Sequence, residues 1–253
     1  MNTLTRRVLI GALALGAIFG APRAMRLLPL ATTENVGPER VVLLHGLGRT
    51  RLAMVLLEGE LRAAGYETYS IGYASMTLAP EEILKDVSAK VAACCEASDR
   101  PVHFVGHSLG GLMVRALLAE QRPAALGRVV LLGAPNGGSE LADANRHGTL
   151  TAPFLEHAGP SARALGTGPE DFAARLPVPD FEVGVIAGTR GTPLGDQWLP
   201  KPNDGLVSVE SARLEGMTDF RVYPLSHWRL RSDPEVAAEV VHFLREGRFL
   251  PES

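Results

Sequence analysis

Ser108, Asp204 and His227 are the residues whose types and settings could together perform nucleophilic catalysis. A serine hydroxyl attacks poorly at neutral pH unless a base takes its proton and an acid orients that base. Ser108 lies in Gly106-His107-Ser108-Leu109-Gly110, after the apolar run Pro101–Val105 and before the helix-forming stretch Leu112–Gln121. A strand, a sharp turn and a helix in that order hold a serine in a strained backbone conformation, with its hydroxyl raised off the sheet. Gly106 and Gly110 then stand where strand and helix cross and a Cβ would collide.

The acid and the base are sought downstream. Asn203-Asp204-Gly205-Leu206-Val207 puts a carboxylate on a glycine-containing turn, and Pro224-Leu225-Ser226-His227-Trp228 puts an imidazole just after the strand-like Phe220–Tyr223. The chain order serine, aspartate, histidine suits loops at the C-terminal ends of successive strands. The chain has seven histidines, and the others fit a base less well. His103 sits inside an apolar strand, while His147, His157 and His242 lie in a polar segment and a terminal helix. Asp180 precedes its strand, and Asp196 lacks the turn-then-apolar setting of Asp204.

Acyl transfer also requires preorganised N–H donors for the oxyanion. Arg40–Leu44 reads as a buried strand running into His45-Gly46-Leu47-Gly48, which directs the Leu47 N–H toward the nucleophile. The second donor is the N–H of Leu109, at the start of the helix after Ser108. His45, Gly46 and His107 are expected to border the substrate, with His45 holding the loop by hydrogen bonds in preference to reacting.

Four motifs occur together: His45-Gly46-Leu47-Gly48, the Gly106–Gly110 turn, Gly133-Ala134-Pro135-Asn136-Gly137-Gly138-Ser139, and Asn203–Val207. In that combination the sequence resembles the bacterial lipase and esterase group of the α/β-hydrolases, over roughly Arg40 to Arg245. The resemblance implies nucleophile, acid and base roles for Ser108, Asp204 and His227, and oxyanion roles for Leu47 and Leu109. It implies an acyl-enzyme route for a small-molecule or lipid ester; no cofactor is expected, and no metal, because no cluster of Cys, His and carboxylates has metal-ligand spacing. A thioesterase, amidase or acyltransferase could use the same triad. A non-catalytic binding cleft would not need all five positions.

The elements around these residues alternate. Strands are expected at Arg40–Leu44, Glu67–Ile71, Pro101–Val105, Arg128–Leu132, Glu182–Ala187 and Phe220–Tyr223, and helices at Met54–Ala64, Pro80–Ser98, Leu112–Gln121 and Pro234–Glu246. That alternation predicts an α/β fold, a doubly wound and mostly parallel sheet of about six strands, smaller than in larger members of the fold. One catalytic domain is expected over 36–250, with residues 136–181 forming a cap insertion over the site.

Residues 1–30 read as a signal peptide or membrane anchor. Arg6-Arg7 precedes the apolar Val8–Ala21, a run of about fourteen residues where a spanning helix needs about twenty. The protein is therefore expected to be exported, periplasmic or secreted, or anchored at the outer face of a bacterial inner membrane, with membrane contact through this segment. A formal net charge of −3 with mixed signs gives no basic stripe, which argues against a nucleic-acid partner. The two cysteines are adjacent in a helical stretch, and this predicts packing residues and no disulfide.

Overall fold

The computed structural model describes residues 37–146, 159–193 and 195–251. The N-terminal segment, His147, His157 and the Thr151–Leu155 piece of the expected cap lie outside them.

Six strands form one sheet: β1 (Arg40–Leu44), β2 (Glu67–Ile71), β3 (Val102–His107), β4 (Leu126–Leu132), β5 (Val183–Gly188) and β6 (Asp219–Tyr223). Their order is β2-β1-β3-β4-β5-β6, and every neighbouring pair is parallel. The expected α/β architecture is thus present, with all six described strands parallel. Both faces are covered, so the central strands are largely apolar and successive residues feed opposite cores, while the edge strands β2 and β6 carry polar residues such as Glu67, Ser70, Asp219 and Arg221. Val42 and Leu44, Val102 and Phe104, and Val129 and Leu131 enter one core with α2 (Pro80–Cys95) and α3 (Leu109–Glu120). Val41 and Leu43, Val105, and Val130 and Leu132 enter the other, with α1 (Val55–Ala63) and the C-terminal helix Pro234–Glu246.

Helix ends follow local chemistry. The C-terminal helix starts at Pro234, where the Asp233 carboxylate accepts from the Glu235 N–H at 3.0 Å, and it stops at Gly247, whose φ of 72° is left-handed. Helix α2 ends at Cys95, three residues short of expectation, because the Ser98 hydroxyl accepts from the Arg100 N–H at 3.2 Å and closes a turn there. Helix α3 begins at Leu109, three residues earlier than expected. Gly110 and Gly111 are poor helix formers, but close packing under the turn outweighs their propensity.

The expectation for the cysteines is corrected. Cys94 and Cys95 are joined by a disulfide with their Cα atoms 3.7 Å apart. The pair occupies the last two positions of α2, not mid-helix, and no further helical turn follows it. Cys95 is also buried in the core, as a packing residue would be.

The strand order reverses direction between β1 and β3, which run outward to β2 on one side and to β4 on the other. The C-terminal ends of strands at such a switch point diverge and leave a crevice. Those ends carry His45-Gly46 and His107-Ser108. Among the described residues no helix is long and apolar enough to cross a membrane.

Candidate active site

Ser108 stands between β3 and α3 with φ 57° and ψ −127°, the one non-glycine residue with positive φ among those described. Such a conformation costs of order 1–3 kcal/mol and persists only where its surroundings impose it. Here the Ser108 N–H donates to the Leu132 carbonyl at 2.9 Å, and the Gly111 N–H donates to the Ser108 carbonyl at 2.9 Å. The glycines on either side are required by crowding. A Cβ on Gly106 would lie 2.5 Å from the Cα of Gly111, and one on Gly110 would strike the Leu44 carbonyl.

His227 and Asp204 form a buried pair, with Nδ1 of the histidine 2.8 Å from Oδ2 of the carboxylate. The second carboxylate oxygen accepts from the N–H groups of Leu206 at 2.9 Å and Val207 at 2.8 Å. The His227 N–H donates to the Asp204 carbonyl at 3.0 Å, so backbone and side chain join the two loops. An ionised carboxylate can only accept, so Nδ1 of His227 carries the proton and Nε2 keeps its lone pair. The rival carboxylates are engaged elsewhere, Asp180 with Arg122 and Asp196 with Lys201.

The loop after β1 lies directly against the nucleophile. A Cβ on Gly46 would be 2.9 Å from that of Ser108. The loop is held from behind: the Gly48 N–H donates to the buried Ser75 hydroxyl at 3.0 Å, and the Tyr73 hydroxyl donates to the His45 carbonyl. Among the described residues, no turn or loop hydrogen bond engages the N–H of Leu47 or Leu109. Leu109 opens α3, where the first N–H groups have no intrahelical partner. Both N–H groups thus lack a turn or loop partner among the described residues.

One cleft brings together Ser108, His227, Gly46, Leu47 and His107. Its remaining wall is largely apolar and includes Pro135, Leu141, Ala162, Leu165, Leu206 and Val207. Leu141, Ala162 and Leu165 belong to the described part of the 136–181 insertion, including α4 (Glu140–Arg146), so that segment helps to enclose the cleft. Asp204 lies behind the wall, as a carboxylate that orients a base must. His45 is also behind it: fully buried, stacked on Tyr73 with ring centroids 4.1 Å apart, its Nδ1 2.9 Å from the Gly46 carbonyl. It supports the loop and, unlike Gly46 and His107, does not line the cleft.

His107 is buried and lines the cleft, with its Nε2 2.9 Å from the His227 carbonyl. A carbonyl can only accept, so the proton is on Nε2, and Nδ1 has no partner among the described residues. Burial first, then the nearby His227, push its pKa well below the ordinary histidine range. His107 is thus held neutral.

The model of the alpha/beta hydrolase family matches residues 41–251. The chain belongs to that family. Hydrolase chemistry is the coarse function that this membership carries. Among solved structures, this alpha/beta hydrolase is similar to the mature form of Bacillus licheniformis lipase BlEst2, with 20% identity, a TM-score of 0.70, and coverage of 87% of this chain and 95% of that one. It is similar also to esterase RhEst1 from Rhodococcus sp. ECU1013, at 20% identity and a TM-score of 0.53, covering 83% of this chain and 91% of the other. At such identities the likeness concerns the fold. No curated protein matches the sequence.

Several residues of this hydrolase's site carry no sequence signal of their own role. Gly133, with φ 55°, makes room for the acid–base pair: a Cβ there would lie 3.2 Å from both Asp204 Oδ2 and His227 Nδ1. Gly188 does the same on the other side, where a Cβ would be 2.8 Å from that of Asp204. Arg49 and Trp228 form the cleft rim, the guanidinium 5.5 Å from the indole centroid. Gly133 was visible as part of a motif, but its neighbours Asp204 and His227 come from loops far downstream, and spacing cannot reveal that.

Proposed function

We propose that this hydrolase cleaves carboxylic esters through an acyl-enzyme on Ser108. The observation that carries the proposal is a strained serine sharing one cleft with an imidazole whose Nδ1 is 2.8 Å from a buried carboxylate. His227 Nε2 removes the hydroxyl proton as Ser108 Oγ attacks the ester carbonyl, and Asp204 stabilises the resulting imidazolium. The N–H groups of Leu47 and Leu109 receive the charge that develops on the carbonyl oxygen. His227 then protonates the departing alcohol, and water, deprotonated by the same imidazole, releases the acid.

The apolar wall favours a hydrocarbon acyl chain over a charged one. Arg6-Arg7 and the apolar stretch behind them support export, with the enzyme acting outside the cytoplasm.

Hydrolysis of p-nitrophenyl esters from acetate to palmitate, with Ser108→Ala measured in parallel, tests the proposal. Ser108-dependent release of p-nitrophenol is expected, and turnover in the alanine variant should fall to the level left by binding and the oxyanion site. Equal inertness of both proteins on every ester would remove ester hydrolysis from consideration. Thioesters and acyl acceptors would then be the substrates to examine.

A further inference from the structure

The surface beside the cleft mouth is apolar and basic, and catalysis gives it no task. Val55 and Leu56, at the start of α1, lie three and four residues after Leu52 on the 3-10 turn Arg51–Met54, and Leu52, Val55 and Leu56 are 68%, 53% and 62% exposed. The same stretch buries Met54 and Leu57 on its inner side. The outer side of an amphipathic turn is normally polar, and here it is not.

Trp228, 40% exposed, continues the patch. The two parts are joined through Arg231, whose Nε donates to the Ala53 carbonyl at 2.9 Å and whose Nη1 donates to the Trp228 carbonyl at 2.8 Å. Single exposed leucines are ordinary, but four large apolar side chains on joined elements make a surface that a lone soluble molecule seldom keeps.

The patch is bordered by cations. Among the described residues, no carboxylate lies within ion-pair distance of Arg49 or Arg51. Arg229 pairs with Asp233 at 3.3 Å while its side chain stays 59% exposed. The charge of Arg49 also reaches Arg231, whose pKa is lowered by burial and then by that neighbour. Two like charges kept close together favour an anion.

We infer that Leu52, Val55, Leu56 and Trp228, bordered by Arg49, Arg51 and Arg229, dock the molecule on an anionic lipid bilayer with the cleft mouth turned toward it. Each part has a place in such an interface. Leucine and valine enter the acyl boundary, an indole sits at headgroup depth, and arginines reach up to lipid phosphates. Anionic lipid is favoured over zwitterionic by the unpaired guanidinium groups. The inference does not depend on which bond the enzyme breaks, and it involves residues of the folded unit rather than the N-terminal segment.

The test uses the full chain carrying Trp198→Phe, so that Trp228 is its one tryptophan, titrated with vesicles of acyl-brominated phosphatidylglycerol or acyl-brominated phosphatidylcholine. Docking predicts quenching of Trp228 at a lipid concentration roughly tenfold lower for phosphatidylglycerol than for phosphatidylcholine, with the difference shrinking in high salt. Leu52→Ser with Leu56→Ser should abolish the quenching and Arg51→Glu should weaken it. Neither change touches the cleft or the core, so turnover of a soluble ester should stay at the parent level.

Equal quenching by both lipids, no quenching by either, or quenching that survives Leu52→Ser with Leu56→Ser would each overturn the inference. A protein partner for the patch would give the second of these results. Attachment through the N-terminal segment alone would give the first or the third. Intact quenching in a chain inert toward esters would count against the proposed function only.

Discussion

At the scale of single residues, the site is defined by where strain and protons are held. Ser108 keeps φ at 57°, a conformation that glycine adopts freely and alanine does not. Ser108→Gly should therefore be more stable than Ser108→Ala by about 1 kcal/mol, both being inactive. Thermal melts of the two variants side by side measure the difference, and equal stability would mean that the turn stores no strain at this residue. The roles proposed for Ser108, Asp204 and His227 could be read from the sequence because each sits in a short motif whose chemistry is local. The support they receive was not. Tyr73 and Ser75 brace the His45–Gly48 loop from a segment that no motif marks, and Gly188 yields space to Asp204 only because β5 ends beside it.

At the scale of elements, alternating apolar runs and helix-forming stretches made all six strands and the main helices legible, with shifts of up to three residues at their ends. The early start of α3 shows why ends drift: local propensity disfavours Gly110 and Gly111 in a helix, but packing under the nucleophile turn requires both. The insertion after β4 was legible as a segment. Its part in the cleft was not, because that depends on how Leu141, Ala162 and Leu165 come back over the sheet. Ala162 is buried in that wall, and Ala162→Phe would fill acyl space without touching Ser108 or His227. The preferred acyl chain should then shorten, with kcat/KM on the longest esters falling roughly tenfold and acetate little changed. An unaltered chain-length profile would place the acyl group elsewhere.

At the scale of the molecule, stability is tied to pH through buried imidazoles. His45, His103 and His107 all have pKa values lowered mainly by burial. In the unfolded chain each titrates near about 6.5, so below that pH the unfolded state takes up protons that the folded state refuses. Stability should hold above about pH 6.5 and fall progressively below it, ahead of the range where carboxylates protonate. Melting temperatures measured from about pH 7.5 down to 5.5 would follow this, and His107→Asn should flatten the slope; an unchanged slope would mean that His107 does not contribute. The sequence by itself determined the chemistry on offer, the strand and helix alternation, and the chain order of nucleophile, acid and base, because these are local or periodic properties. Only the tertiary structure decided that His45 turns inward while His107 borders the cleft, and that Trp228 comes beside the exposed Leu52, Val55 and Leu56. Each depends on side chains that meet through the packing of distant elements, where contact distance and burial, and not spacing along the chain, set the outcome.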